Sequence, residues 1–294
     1  MLTEISDLIK RFDKLGYVVE EEFATVLLLM LKLQKPLLLE GPPGVGKTET
    51  ANIIASYLDT ELIRLQCYEG LDVNSAVYEW NYQKQLLSIK INEKSDLSIK
   101  EKESHIFSEE FLLKRPLLKA ITATEKAPVL LIDEIDRADE EFEAFLLEIL
   151  SVFQMSIPEM GTIKAEHKPI VILTSNRTRE LSDALKRRCL YHWVPYPDFD
   201  KELAIINKHL PQIQDHIANN LVQFVQSLRN KNLEKSPGVA ESIDWANGLI
   251  ALGADSFSKD NIERTLGCIL KSENDMQAVK SNYLDEILNE METK

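Results

Sequence analysis

The feature that most constrains this 294-residue sequence is one glycine-rich segment near its beginning. Residues 41–48 read GPPGVGKT and fit the pattern GxxxxGK[ST]. A short apolar run, Leu37 to Leu39, precedes the segment, and a helical pattern, Thr48 to Leu58, follows it. A strand, a glycine-rich loop and a helix in this order are the context in which the pattern has a physical role. The segment therefore predicts a sheet covered by helices, with this loop at the carboxyl end of one strand.

The chemistry of this loop predicts that it binds nucleotide phosphates. Glycines let consecutive backbone N–H groups point at phosphate oxygens, and the N-terminus of the following helix adds positive partial charge. Lys47 would neutralise the β- and γ-phosphates, and Thr48 would be a ligand of Mg²⁺. A tight turn that only caps a helix is the alternative. The residues expected to contact the nucleotide are Gly41, Pro42, Pro43, Gly44, Val45, Gly46, Lys47, Thr48 and Glu49.

Two acids follow a run of four apolar residues, Val129 to Ile132. Such a run is typical of a strand buried on both faces, and the carboxyl end of a parallel strand lies at the ligand crevice of its sheet. Asp133 is therefore expected to hold Mg²⁺ through water, and Glu134 to polarise the attacking water. The alternative is a helix N-cap, where Asp is favoured.

Asn176 follows the next buried strand, Ile170 to Leu173. A polar side chain at this place would lie between Glu134 and the γ-phosphate and could orient water. The alternative is an Asn that only forms a turn.

Two adjacent arginines, Arg187 and Arg188, stand before the fifth strand, Leu190 to Val194. A basic cluster at the end of a helix often only complements the helix dipole. The functional interpretation is an arginine that reaches the γ-phosphate held by a neighbouring subunit, with Arg187 favoured over Arg188.

Strands that alternate with helices predict a parallel α/β sheet with helices on both faces. The pattern stops at Pro195-Tyr196-Pro197, and residues 200–291 have mainly helical periodicity. We therefore predict an αβα nucleotide-binding domain over 1–197 and a small helical domain over 198–294. Within the first domain, the polar stretch between Lys84 and Glu110 interrupts the pattern, and residues 154–165 predict a hairpin.

The net charge of −14 argues against a broad nucleic-acid surface, because proteins that act on nucleic acid usually have a basic face. Three widely spaced cysteines predict buried thiols and no disulfide framework. The longest apolar run, Val26 to Leu31, is too short to span a bilayer, and no signal peptide is expected. These features predict a cytoplasmic protein that binds neither nucleic acid nor membrane.

The segments GPPGVGKTE, LLIDEID and LTSN, with the arginine pair after them, resemble the AAA+ ATPases. More narrowly, AFLLEIL, FQMSIPEMGTIKA and ILTSNRTRELSDALKRRCLYHWVPYP resemble the MoxR family. They are similar to its subgroup encoded beside carbon monoxide dehydrogenase and related molybdenum hydroxylases. The resemblance covers Gly41 to Pro197, and SPGVAESIDWA, residues 236–246, is also similar.

The resemblance implies a five-stranded αβα sandwich, a helical lid and a hexameric ring. It assigns Lys47 and Thr48 to the Walker A motif, Asp133 and Glu134 to Walker B, and Asn176 to sensor 1. Arg187 or Arg188 becomes the arginine finger. The hairpin at 154–165 matches the pre-sensor-1 hairpin, and the polar excursion within 78–110 matches the insert in helix 2. Both would touch a client protein.

One segment departs from the AAA+ pattern. Many of these proteins have a sensor 2 arginine early in a lid helix, whereas residues 238–242 here contain none. The coupling of the lid to the γ-phosphate is therefore expected to be weaker, or to depend on another residue. Arg137 is similar to a subunit-interface residue of the family, and an ordinary surface arginine is the alternative.

The leading hypothesis is a Mg²⁺-dependent ATPase ring that remodels or matures a client enzyme complex. Related proteins suggest a partner with a von Willebrand factor A domain. The alternatives are a DNA-acting AAA+ machine such as a clamp loader or helicase, and a non-catalytic nucleotide switch or scaffold. A metabolic kinase is weaker, because the helical C-terminal part and the hairpin have no place in a small kinase.

Overall fold

A computed structural model describes residues 2–92 and 98–292 of the chain. Nine strands are found in these residues, and the bounds of each are as follows. They are β1 (Leu37–Glu40), β2 (Leu62–Gln66), β3 (Tyr78–Trp80), β4 (Leu112–Lys114), β5 (Val129–Asp133), β6 (Gln154–Ile157), β7 (Gly161–Lys164), β8 (Ile170–Ser175) and β9 (Leu190–Trp193).

The α-helices of the described residues fall into an early set and a late set. The early set is α1 (Leu2–Lys14), α2 (Glu21–Leu33), α3 (Lys47–Leu58), α4 (Val73–Val77), α5 (Tyr82–Ile91), α6 (Ile99–Ile106), α7 (Pro116–Ile121), α8 (Glu140–Val152) and α9 (Asp183–Arg188). The late set is α10 (Phe199–His209), α11 (Asp215–Arg229), α12 (Val239–Ala251), α13 (Lys259–Ile269), α14 (Glu273–Ala278) and α15 (Leu284–Glu292). Short 3₁₀ turns occur at Glu109–Phe111 and Ile135–Arg137, and a π-helical turn at Val279–Tyr283.

The main sheet has five parallel strands in the order β2-β5-β8-β1-β9. All residues of β1 and β5 are buried, as their unbroken apolar runs predict for strands covered on both faces. Helices flank the sheet, and the region after β9 is helical. The predicted α/β sandwich, with a five-stranded parallel sheet between helices and a helical region after it, is confirmed.

The register of the central strands aligns their carboxyl ends at one edge of the sheet. Gln66 of β2 pairs with Asp133 of β5, and Glu40 of β1 pairs with Ser175 of β8. Because β5 lies between β2 and β8, residues that follow these strands meet around Asp133.

Two small antiparallel pairs lie outside the main sheet. β3 pairs with β4, and the chain between them contains α5 and α6. This is the region of the predicted insert within 78–110, of which residues 93–97 lie outside the described residues. β6 pairs with β7 in register from Gln154 opposite Lys164 to Ile157 opposite Gly161.

The chain separates into two compact units. One consists of Met1–Ala24, Gly41–Lys47 and Trp193–Lys294, and the other of Thr25–Glu40 and Thr48–His192. In the first unit, Phe224, Trp245 and Phe257 pack edge to face in a core of buried aliphatic side chains. In the second, the core lies around β2, β5, β8 and the helices on them. None of the helices in residues 2–92 and 98–292 has the length and apolar character needed to cross a bilayer.

Candidate functional site

The glycine-rich loop connects β1 to α3, and its backbone conformation depends on glycine. Gly44 has φ +74° and Gly46 has φ +91°, in the left-handed region that side chains with a Cβ rarely adopt. Turns of this kind turn successive N–H groups to one side and form anion-binding concavities. The loop thus has the backbone that phosphate binding requires.

Lys47 is the first residue of α3, and its side chain folds back over the loop. Its Nζ donates hydrogen bonds to the carbonyl oxygens of Gly41 at 2.8 Å and Pro42 at 2.7 Å. Only 7% of the residue is exposed. The ammonium group is therefore held at the loop by peptide dipoles, and a phosphate would offer it a stronger, charged partner.

Thr48 and Asp133, the two residues expected to bind magnesium, are in direct contact. The Thr48 hydroxyl donates to Oδ1 of Asp133 at 3.0 Å, and the Thr174 hydroxyl donates to the same oxygen at 2.5 Å. Asp133 is 3% exposed. A carboxylate and a hydroxyl are the hard oxygen donors that Mg²⁺ selects, usually together with water and phosphate oxygens. These donors fit a magnesium ion.

The second oxygen of Asp133 is bound to Arg64. The Nη2 of Arg64 lies 2.5 Å from Oδ2 of Asp133, and it also donates to Oε1 of Gln66 at 2.5 Å. The Arg64 side chain is 53% exposed. The half-exposed guanidinium of Arg64 thus already neutralises the buried carboxylate of Asp133.

Glu134 has an unusual backbone conformation. Its φ of +54° lies in the left-handed region, which costs a residue with a side chain on the order of 1 kcal/mol. The N–H of Glu134 donates to the Thr174 hydroxyl at 2.9 Å, and this bond helps to hold the conformation. The carboxylate pairs with Nε of Arg137 at 2.6 Å. Arg137, for which an interface or surface role was expected, contacts the candidate catalytic carboxylate of its own chain.

Asn176 is presented by a turn that is fixed on a buried carboxylate. Oδ2 of Asp136 accepts the N–H of Asn176 at 3.2 Å, the N–H of Thr178 at 2.8 Å and the Thr178 hydroxyl at 2.7 Å. Asp136 is 2% exposed. The side-chain amide of Asn176 makes no hydrogen bond within the described ranges, so it is available to a ligand.

The arginine pair stands on α9, which is anchored to α8. Glu143 of α8 accepts the N–H of Ser182 at 3.0 Å and forms an ion pair with Arg179. Arg188 is exposed and donates to the carbonyl of Leu147 at 2.8 Å. Arg187 is also exposed, and its guanidinium has no partner in the part of the chain that the structure describes. The fold therefore holds the helix that carries Arg187 and leaves the charge of this residue open to solvent.

The carboxylates at this edge of the sheet also act on a buried thiol, that of Cys67. Burial first, and then the charges of Asp133, Asp136 and Glu134, raise the pKa of the Cys67 thiol to about 12. The N–H of Cys67 donates to the carbonyl of Asp133 at 2.8 Å. This thiol therefore stays protonated.

A second polar group lies where β1 ends. Glu40 is buried and accepts the hydroxyl of Tyr191 at 3.1 Å, while Nε of Arg177 lies 3.8 Å away. Burial first, and then the charge of Glu40, raise the pKa of Tyr191. Arg177 has φ +58°, so the turn after Asn176 is also strained.

The predicted residues lie at four places. Thr48 donates directly to Asp133, Thr174 links Asp133 to Glu134, and Asn176 stands on the neighbouring Asp136 turn. Lys47 precedes Thr48 in the chain and lies with residues 41–46 in the loop. Arg187 and Arg188 are at the exposed end of α9. Glu49 is exposed and accepts the side-chain N–H of Asn52 at 2.8 Å on the surface of α3.

Three residues of the site were not expected from the sequence. Thr174 bridges Asp133 and Glu134, Arg64 neutralises Asp133, and Asp136 holds the turn of Asn176. Arg64 and Thr174 become recognisable once β2 and β8 are known to flank β5, because Gln66 then pairs with Asp133, and Leu173, the residue before Thr174, pairs with Ile132.

Comparison with known proteins agrees with this geometry. The model of the AAA domain (dynein-related subfamily) matches residues 36–189. An uncharacterized protein of Staphylococcus haemolyticus is 28% identical over 86% of this chain and 90% of its own length. An uncharacterized protein of Staphylococcus epidermidis is 26% identical over 85% of this chain and 90% of its own. A point mutant of Thermotoga maritima RuvB superposes with a TM-score of 0.52 at 18% identity, covering 94% of this chain and 83% of that structure.

Proposed function

Because this chain belongs to the dynein-related subfamily of AAA domains, we propose that it is a Mg²⁺-dependent ATPase of MoxR type. The observation that carries the proposal is the contact of the Thr48 hydroxyl with the buried Asp133, next to the strained Glu134. Strained backbone persists where the surrounding structure enforces it, and it occurs preferentially at functional sites.

Each residue has a role that follows from its position. Lys47 and the backbone N–H groups of Gly44, Val45 and Gly46 bind the phosphates. Thr48 and Asp133 would hold the metal, Asp133 through water. Bound magnesium neutralises the phosphate oxygens and so lowers the barrier to attack by water. Glu134 polarises the attacking water, and Asn176 orients it with its side-chain amide. The ion pair with Arg137 must open before the carboxylate of Glu134 can turn to a water.

The arginine finger is assigned to Arg187, acting on the nucleotide of a neighbouring subunit. Two observations support it: the guanidinium is exposed, and no group in the described chain neutralises it. Arg188 already donates to Leu147, so its side chain is less able to reach another subunit. A finger that acts between subunits requires a closed assembly, and a hexameric ring is the form proposed.

The wider role proposed is that of a remodelling chaperone for a client enzyme complex, acting with a von Willebrand factor A-domain partner. Residues 1–197 supply the ATPase domain and residues 198–294 the helical lid. The β6–β7 hairpin and the segment around α5 and α6 supply surfaces for the client. On α5 the exposed side chains include Tyr82, Leu86, Leu87 and Ile91, which supports a contact surface in this segment. A cytoplasmic location belongs to the same proposal.

Phosphate release from ATP, measured over a range of protein concentrations, tests this function. Turnover per chain should rise with concentration as subunits assemble, because each site needs its neighbour's Arg187. Turnover that is constant over the assembly range would contradict the ring mechanism. Parallel measurements with duplex DNA at several salt concentrations test the DNA-acting alternative. DNA binding that weakens steeply with salt and stimulates turnover would favour that alternative.

A further inference from the structure

The carbonyl of Gly44, in the middle of the glycine-rich loop, is bound by the first residues of α12. It accepts the N–H of Val239 at 2.9 Å and the N–H of Ala240 at 3.2 Å. The first N–H groups of a helix have no partner inside the helix, so they need an acceptor elsewhere. Here the loop supplies that acceptor.

Two glycines make this approach possible. A Cβ on Gly238 would lie 2.7 Å from the Cα of Gly44, and a Cβ on Gly44 would lie 3.1 Å from the Cα of Gly238. Oε2 of Glu241 accepts the N–H of Gly238 at 3.0 Å and would lie 2.8 Å from a Cβ on Gly44. The backbone of α12 thus meets the loop closer than any side chain would allow.

The turn before α12 is held in place from behind by a buried ion pair. Arg229 donates Nη1 and Nη2 to the two carboxylate oxygens of Glu202, both at 2.7 Å, and Nε to the carbonyl of Pro237 at 2.8 Å. Ser242 of α12 donates its hydroxyl to the same carboxylate at 2.7 Å. The N-terminus of α12 is therefore a fixed support.

This support determines how one peptide of the loop is oriented. In a planar trans peptide the C=O and the following N–H point in opposite directions. Since the carbonyl of Gly44 points at α12, the N–H of Val45 points away from it. Without the two hydrogen bonds, the peptide between Gly44 and Val45 could rotate, because glycine permits many backbone conformations.

We propose that the N-terminus of α12 is a positioning element of the phosphate loop, which fixes the Gly44–Val45 peptide so that the Val45 N–H is aimed at bound phosphate. Val239 and Gly238 are the positioning residues. They couple the helical region to the nucleotide through backbone hydrogen bonds, where no arginine is found in residues 238–242. This inference rests on the proposed function, since it concerns the same nucleotide.

Two substitutions at Val239 separate the hydrogen bond from the side chain. Val239→Pro removes the N–H that Gly44 binds, and proline is well accepted at the first position of a helix. Gly238 is extended, at φ −87° and ψ −176°, which suits a residue before proline. Val239→Ala keeps the N–H and is the matched control for lost side-chain packing.

The experiment measures equilibrium binding of Mg-ATP and steady-state turnover for the unsubstituted chain and both variants. Val239→Pro is expected to bind ATP about tenfold more weakly than Val239→Ala, the loss of about one charge-assisted hydrogen bond. Turnover at saturating ATP should agree within about twofold, because the loss is in binding. A structural defect alone would not produce this split between KM and kcat.

A second pair of variants tests the same contact without changing Val239, in case Val239→Pro disturbs the local fold. Gly238→Ala places a methyl group against Gly44 and should weaken ATP binding in the same way. Gly267→Ala, on α13 with no atom within 4 Å of the added carbon, is its control and should leave binding unchanged.

The outcomes distinguish the two proposals. Equal ATP affinity for Val239→Pro and Val239→Ala would overturn the positioning role while leaving the ATPase intact. Unchanged affinity with a lower kcat would also overturn it. Failure of the unsubstituted chain to bind Mg-ATP would instead overturn the proposed function, and this inference with it.

Discussion

Each of the two units contains an arginine–carboxylate pair, and the two pairs differ in how far the arginine is exposed to solvent. In the helical unit, the side chains of Arg229 and Glu202 are 7% and 0% exposed, and both oxygens of Glu202 are bound by the guanidinium. In the sheet unit, Arg64 is 53% exposed and binds one oxygen of Asp133. The other oxygen of Asp133 accepts two hydroxyl groups.

The two pairs differ in how easily the arginine can leave its carboxylate. Removing Arg229 would leave the buried charge of Glu202 without a counter-ion, with hydrogen bonds from only Ser242 and Gln226, which is strongly unfavourable. Arg64 is itself half exposed and regains full hydration easily, so it can leave Asp133 when another cation takes its place. Asp133 can then exchange one cation for another, as a metal site requires. The enclosed pair supports the fold, and the half-open pair lies at the proposed metal site.

The largest effect on turnover is expected at a third arginine, Arg187. Unlike Arg229 and Arg64, it has no partner in the described chain. Arg187→Ala should lower turnover by about a thousandfold or more, because an arginine finger stabilises charge in the transition state. Unfolding in urea should be unchanged. Mixing Arg187→Ala with Glu134→Gln should restore part of the phosphate release, since each variant supplies what the other lacks. No recovery in mixed assemblies would contradict action between subunits, and Arg188→Ala is the control with the smaller loss.

The next largest effect is expected on stability, when the buried Arg229–Glu202 pair is broken. Arg229→Ala should lower the free energy of unfolding by about 3–5 kcal/mol, as for one partner removed from a buried ion pair. Urea denaturation measures it, and Arg64→Ala serves as the comparison, with a smaller expected loss because Arg64 is half exposed and Asp133 keeps its two hydroxyl donors. Equal losses of unfolding free energy in Arg229→Ala and Arg64→Ala would contradict the distinction between an enclosed pair and a half-open pair.

The magnesium requirement of turnover tests the pair of Arg64 and Asp133. Arg64 and magnesium compete for the charge of Asp133, so Arg64→Gln should lower the Mg²⁺ concentration needed for half-maximal turnover by about two- to tenfold. A magnesium titration of phosphate release at fixed ATP measures this. A higher magnesium requirement in the variant would mean that Arg64 helps to organise the metal site.

The smallest effect concerns the thiols. Burial, and then the nearby carboxylates, raise the pKa of Cys67 to about 12, whereas burial alone raises the pKa of Cys189 to about 12. At pH 8 the folded protein should therefore resist alkylation at both, with about one thiolate in 10⁴. Asp133→Asn should increase the alkylation rate of Cys67 at high pH and leave that of Cys189 unchanged. Mass spectrometry after timed labelling distinguishes the two residues.

The sequence predicted those parts of the site that are encoded locally. Lys47 and Thr48 belong to one continuous motif, and Asp133 follows an apolar run that only a strand buried on both faces explains. The same runs predicted the parallel sheet, because strand and helix periods differ. The assigned roles of Glu134, Asn176 and Arg187 stay predictions.

The remaining contacts depend on strand order, which periodicity does not encode. Thr174 and Arg64 reach Asp133 because β8 and β2 flank β5. The contact of Gly44 with Val239 likewise joins segments that are far apart in sequence. A glycine at position 238 is a weak signal by itself, since its close approach to another glycine is visible only in three dimensions.

The central claim, that Asp133 and Glu134 form the catalytic edge of a Mg²⁺-dependent ATPase, is tested most directly by one comparison. Purified unsubstituted chain and Glu134→Gln are measured side by side for binding of Mg-ATP and for phosphate release. The variant should bind ATP as tightly as the unsubstituted chain, while its turnover falls by at least about a hundredfold, because the amide cannot accept a proton from water. Turnover that is unchanged in Glu134→Gln would contradict the account.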